Sequence, residues 1–273
     1  PKYLLSEFNA RTTVSHEANI RSVLADRSDL AVVTSSYLQK FLRDHPGSIP
    51  KLLVANKIEQ SYAHTMLVRK HIDPSIAEID GLLDQMQKAG YTSILLGKYG
   101  IEQPRSQEMA ESDQAPQPET QQVPHGSQVA VKVGGYHFPP YVEHRSGKFK
   151  GLTLDLIKLM NAFQSRYRFA FVPTTAVTRY KDFDDGSFDV AFFERKEWGW
   201  QDRPLVSSRE FLRDAEIYLS ATSQGRTQHY FDDLEGKSLV GYVGYHYPIT
   251  NFQTDPALLL QRYNMSVTAS HTE

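Results

Sequence analysis

The chain has 273 residues and a mass of 31.1 kDa, which fits one large domain or two modest ones. Hydrophobic residues make up 40% and charged residues 23%, so there is material for a core and global disorder is excluded. Thirty Lys and Arg balance 32 Asp and Glu, so the chain carries no electrostatic footprint for a nucleic-acid backbone. Cysteine is absent, which excludes disulfides, thiolate metal sites and cysteine nucleophiles. No apolar run approaches the roughly 20 residues that span a bilayer. Pro1-Lys2-Tyr3-Leu4-Leu5 does not open a signal peptide, so an export signal would lie upstream.

In chain order, the first expected element is a strand over Arg11–Val14, with Ser15 capping a helix over His16–Leu24. Asp29–Val33 reads as a strand and Ser35–Arg43 as a helix. Leu52–Ala55 reads as a strand, and Ile76–Ala89 as an amphipathic helix. From Gln103 to Gln128 the chain is rich in Pro, Gln, Glu and Ser and poor in large apolar residues. Such a segment buries too little surface to offset its ordering entropy, so 103–128 reads as a linker between 1–102 and 129–273. Beyond it, Val129–Val133 reads as a strand followed by Gly134-Gly135. Gly151–Phe163 carries Leu152, Leu156, Leu159, Met160 and Phe163 at helical spacing. Phe169–Val172, the continuous apolar run Phe188–Phe193, and Lys237–Val243 read as further strands, the second suited to a buried parallel position. Strands alternating with helices argue an α/β fold.

The two ends of the chain resemble each other. Residues 1–18 and 256–273 align without gaps at 7 identities in 18 positions, among them Pro1/Pro256, Asn9/Asn264 and His16/His271. The alternatives are coincidence between two short helix–strand units, or a tandem repeat that the chain enters and leaves at equivalent points.

Several short motifs then resemble the amino-acid type (family 3) of extracytoplasmic solute-binding proteins. They are the Pro140-Tyr141 pair after the opening strand, the G-x-x-x-D-L helix start at Gly151–Leu156, and the G-x-x-D strand at Gly186–Asp189. The L-x-G-K turn at Leu234–Lys237 and the helix-to-strand run Ala18–Val33 belong with them. The resemblance implies an α/β, bilobed type II periplasmic-binding-protein (Venus-flytrap) fold. It has two mostly parallel sheets joined by two hinge crossings, in circularly permuted order. Residues 1–102 would be the C-terminal half of one binding unit. Residues 129–273 would be the N-terminal half of the next, with lobe 1 at 129–220 and lobe 2 at 232–273. The crossings are expected near Asn56–Tyr62 and Ala221–Tyr230. The implied protein is periplasmic or otherwise extracytoplasmic, binds a small-molecule solute and is not an enzyme. It works with a membrane permease or a tethered signalling module, and one terminal copy is displaced or swapped with a neighbour. A sensor, a transport carrier and an enzyme on the same fold remain open.

Ligands of open α/β sheets lie beyond the carboxyl ends of the strands. Those positions, with neighbouring helix starts, nominate Tyr136, Phe138, Tyr141, Phe193, Glu194, Trp198 and Trp200 in lobe 1. They nominate Tyr245, His246, Ser15, His16 and Thr34 in lobe 2. The tryptophans are either core residues or an aromatic wall, and Ser15 is either a plain helix cap or part of an anion contact at the helix start. The family's T-x-x-R element, which grips an α-carboxylate, is absent; only Arg195 stands near its place. Glu194 without that arginine points to a cationic or neutral solute. The scattered histidines lack metal-ligand spacing and no nucleotide or hydrolase motif is present, so no cofactor or metal is expected.

Overall fold

The structure, a computed structural model, describes residues 16–101 and 128–268. Ser15, the Arg11–Val14 strand, nearly all of the expected linker and most of the N-terminal repeat copy lie outside the described residues. The elements are α1 (His16–Leu24), β1 (Leu30–Thr34), α2 (Ser35–Asp44), β2 (Leu52–Arg69), α3 (Ile76–Lys88) and α4 (Tyr91–Lys98). They continue with β3 (Val129–Gly135), β4 (Glu143–Arg145), β5 (Lys148–Lys150), α5 (Leu152–Phe163), β6 (Tyr167–Pro173), α6 (Arg179–Asp184) and β7 (Val190–Glu194). The last are β8 (Leu205–Ser207), β9 (Leu212–Ala221), β10 (Leu239–Tyr242), α7 (Pro256–Tyr263) and β11 (Met265–Thr268). Two compact α/β units share them: unit 1 takes residues up to Ser61 and from Asp214 onward, and unit 2 takes Tyr62–Arg213.

In unit 2 the strand order is β6–β3–β7–β2. β3 runs parallel to both β6 and β7, and β7 runs antiparallel to β2, which also pairs with β8. All five residues of β7 are buried, as a strand covered on both faces requires. The Gly134-Gly135 pair ends β3 for a packing reason. A Cβ at Gly134 would stand 2.5 Å from the Phe188 ring. α5 turns Leu152, Leu156, Ile157 and Met160 inward, while Leu159 and Phe163 sit half-buried at the margin of that stripe. α3 starts on a capping box in which Ser75 accepts from the Glu78 backbone N–H and Glu78 accepts from Ser75.

In unit 1 the order is β11–β10–β1–β9. β10 is parallel to β11 and β1, and β1 is antiparallel to β9. Every residue of β1 and β10 is buried. Ile20, Val23, Val33, Leu38, Phe41 and Val240 pack as its core. Asp255 caps α7 by accepting from the N–H groups of Ala257 and Leu258, and Pro256 fills the first helical position.

The two orders are alike. In each, one strand is flanked by two parallel neighbours, and an antiparallel strand follows on one side. β3, β6, β7 and β2 play these parts in unit 2, and β10, β11, β1 and β9 play them in unit 1.

Two expectations shift. The strand expected over Leu52–Ala55 continues through the polar stretch Asn56–Ser61 to Arg69, and the chain changes unit inside it at Ser61/Tyr62, within the expected Asn56–Tyr62. The polar residues hide the strand because alternation lapses exactly where neither face is fully buried. The other change of unit falls at Arg213/Asp214 inside β9, ahead of the expected Ala221–Tyr230. The charges at Arg209, Glu210, Arg213, Asp214 and Glu216 mask that strand in the sequence.

Candidate functional site

Unit 2 gathers its nominated residues around the carboxyl end of β7. Thr65 of β2 stands opposite Glu194 but Leu67 stands opposite Ala191, so β7 carries one extra residue there. Phe193 takes up this bulge with φ of 59°. A bulky residue in the left-handed region costs about 1–3 kcal/mol. The side chains of Phe193 and Glu194 are both buried, at 1% and 2% exposure.

His64 of β2 sits at the centre of one cluster, fully buried. Its Nδ1 lies 3.0 Å from the Phe193 carbonyl oxygen and its Nε2 lies 2.9 Å from the Tyr141 hydroxyl. A carbonyl only accepts, so Nδ1 carries the proton and Nε2 accepts from Tyr141, which fixes a neutral ring. Burial pushes the imidazole down to about 3. Ring centroids of Tyr62, Tyr141, Phe193, Trp198 and Phe138 lie 5.0, 4.6, 5.7, 6.0 and 6.1 Å from that of His64.

A second cluster surrounds Glu194. Trp200 Nε1 donates to Glu194 Oε2 at 3.0 Å, and Arg179 Nε lies 3.4 Å from Oε1. The Arg179 guanidinium lies 4.3 Å from the Tyr180 ring centre and 4.8 Å from that of Tyr136. Its Nη2 donates to the Tyr180 hydroxyl at 2.6 Å, and Nη1 donates to the Ala176 carbonyl. Burial holds the Glu194 carboxyl above its ordinary range, against the opposing pull of Arg179. Tyr136, Thr174, Arg179, Glu194 and Trp200 help line a small cavity of about 10 Å³, on the scale of a water molecule. All seven nominated residues of this lobe are buried, from 0% to 8% exposed.

Unit 1 places His16, Thr34 and Tyr245 together. His16 Nε2 lies 3.1 Å from Thr34 Oγ1 and 3.3 Å from the Tyr245 hydroxyl. Thr34 donates its own proton to Glu216 Oε1 at 2.9 Å, so toward His16 it accepts and Nε2 carries a proton. His246 is half-buried, and its carbonyl accepts from Gln60 Nε2 at 2.8 Å. His64, Arg179 and Glu216 escape sequence reasoning. The one available signal is that His64 alternates with Tyr62 and Met66 on the inward face of β2.

Glu59 of unit 1 accepts from the Ile249 backbone N–H at 2.9 Å, and burial raises its carboxyl to about 7. The native state therefore binds more protons than the unfolded chain between about pH 4.5 and 7, and stability declines as pH rises through that window. Glu59→Gln keeps an acceptor for Ile249 and abolishes the titration. Its urea midpoint should match the parent's near pH 4 and exceed it near pH 8, by about 1–2 kcal/mol in unfolding free energy. Equal pH dependence in the two proteins would show that Glu59 is not the titrating group.

Among the described residues, no group of three His, Asp or Glu side chains could hold a metal ion, and no helix is long and apolar enough to cross a membrane.

No family model and no curated protein matches the chain. Solved structures do. The phosphate-binding protein of a phosphate ABC transporter from Streptococcus pneumoniae TIGR4 is 7% identical with a TM-score of 0.44, over 76% of this chain and 72% of that one. The periplasmic VFT2 domain of Bordetella pertussis BvgS is 9% identical with a TM-score of 0.37, over 78% of this chain and 63% of that one. Arginine-bound ArgBP from T. maritima is 8% identical with a TM-score of 0.34, over 80% of this chain and 71% of that one. The chain thus spans less than two thirds of the BvgS domain.

Proposed function

We propose that the chain is an extracytoplasmic small-molecule-binding module of the type II solute-binding kind, non-catalytic, with its elements in circularly permuted order. The observation that supports this most is the shared strand plan. Unit 2 reads β6–β3–β7–β2 and unit 1 reads β11–β10–β1–β9, each with the same parallel and antiparallel senses. Unit 1 takes its third parallel strand, β1, from the other arm of the chain, which is what a cyclic shift of that plan produces. The nominated residues stand where such sheets carry ligands: Tyr136 follows β3, Glu194 ends β7, Thr34 ends β1, and Tyr245 and His246 follow β10. The chemistry there is aromatic with few charges, suited to a small polar or amphipathic solute. A tandem reading of the likeness between 1–18 and 256–273 favours a sensor slightly, because tandem copies tethered to a signalling protein have a use that a diffusing carrier lacks.

Protein purified from its own host under native conditions, then denatured, should release one small solute in an amount comparable to the protein. Mass spectrometry of the released fraction reads this directly. Repeated preparations that release no common solute, and no melting shift across a library of small solutes, would count against the reading.

A further inference from the structure

Arg179 is the first residue of a helix only six residues long, in a sequence of exposed charges, yet it is 2% exposed. Its guanidinium occupies the position in which a bound cation would be recognised, between two tyrosine rings and beside a buried carboxylate that Trp200 orients. We propose that Glu194, Tyr136, Tyr180 and Trp200 form a guanidinium-binding cage whose resident occupant is the chain's own Arg179, so that a guanidinium-bearing solute enters only by exchange with that side chain.

Three observations separate this from an ordinary buried ion pair. The pairing is loose: Arg179 Nε stands 3.4 Å from Glu194 Oε1, while Nη1 and Nη2 donate to neutral oxygens of Ala176 and Tyr180. Burying two charges without bidentate geometry gains little over an apolar pair, so stability alone does not account for it. The stem of Arg179 leaves from a surface segment, because the loop before α6 exposes Val177 at 69% and is held by the hydroxyls of Thr174, Thr175 and Thr178 with Asp182. A short helix behind an exposed loop is an element that can withdraw with local opening. With about 10 Å³ remaining, no second guanidinium fits while Arg179 is in place.

The inference deepens the solute-binding reading of unit 2. Its test reads the cage alone, so an unresponsive cage would leave the wider reading to the released-solute measurement. The probe is methylguanidinium chloride at about 10 mM, with sodium chloride at the same ionic strength as control. Arg179→Ala should melt below the parent, and methylguanidinium should raise its melting temperature by several degrees in a saturable way. The parent should not respond, because its cage is full. Arg179→Ala combined with Glu194→Gln should also fail to respond, because the carboxylate is gone. If Arg179→Ala does not fold alone, refolding in methylguanidinium should restore its native circular dichroism. A response no larger in Arg179→Ala than in the parent, an equal response in the double variant, or no refolding with the additive would each overturn the proposal.

Discussion

Trp200→Ala is expected to lower the unfolding free energy by about 3–5 kcal/mol, the cost of deleting a large aromatic side chain from a closed core. Trp200 is fully buried, with ring centroids 4.8 Å from Tyr180 and 5.5 Å from Phe183. The substitution also leaves the Glu194 carboxylate short of the indole donor at 3.0 Å, and a buried charge with a missing partner adds to the cavity cost. Trp200→Phe keeps most of the ring packing but not the donor, and should fall between parent and alanine variant. Urea unfolding followed by circular dichroism gives all three values. A loss under about 1 kcal/mol for the alanine variant would mean that the surroundings collapse onto the site and that the indole is not a keystone there. The Trp198→Ala change has a different meaning from the one its sequence position suggests. Trp198 is 8% exposed and packs edge-on to Tyr62 at 5.0 Å, so its removal registers in stability before it registers in solute affinity.

The second large effect is acid sensitivity. His64 is neutral and boxed in by five aromatic rings, with its imidazole pushed down to about 3 against 6.5 in an unfolded chain. Between those values the unfolded state binds a proton that the native state refuses. Stability from His64 is therefore complete above about pH 6.5 and is lost as pH falls toward 3, by up to about 1.4 kcal/mol per pH unit. Glu59 slopes the other way from about pH 4.5 to 7, so in the parent the two groups offset each other over mildly acidic pH. The Glu59→Gln background unmasks the histidine. There, urea midpoints should drop steeply between pH 6.5 and 4.5, and adding His64→Gln should flatten the drop. Identical slopes with and without His64 would place the acid-sensitive proton elsewhere.

The sequence made some of this architecture readable and concealed the rest for identifiable reasons. β1, β7 and β10 were legible because a strand covered on both faces is a short unbroken apolar run, and α5 because its inward face recurs at helical spacing. β9 was not, and β2 only over Leu52–Ala55, since both run through stretches of polar or charged residues. At the site, the aromatic residues near strand ends could be nominated by position, but their closeness to one another could not. Phe193 adopts a left-handed backbone with no glycine to announce it. Arg179 lies in Thr178-Arg179-Tyr180-Lys181-Asp182, a typical solvated helix start, and its contacts with Glu194 of β7 and with the rings of Tyr136 and Tyr180 take it indoors. His64 is buried by rings contributed from three separate stretches of chain. Tertiary partners decide these fates, and no local pattern encodes them.

The place of β1 in unit 1 has a consequence for how the protein is made. Leu30–Thr34 is flanked by β9 and β10, whose residues begin at Leu212 and Leu239. A ribosome releases this strand ahead of both of its neighbours, whose residues follow about two hundred positions later, on the order of ten to forty seconds at ordinary elongation rates. Unit 2, continuous from Tyr62 to Arg213, can finish its sheet in that interval. Unit 1 cannot, and a five-residue strand with four apolar residues and two bare edges is a template for pairing between nascent chains. Synthesis should therefore be the moment of greatest vulnerability for this chain. Polypeptides truncated just before Leu239 should associate, or be captured by holdase chaperones, far more readily than the full-length product.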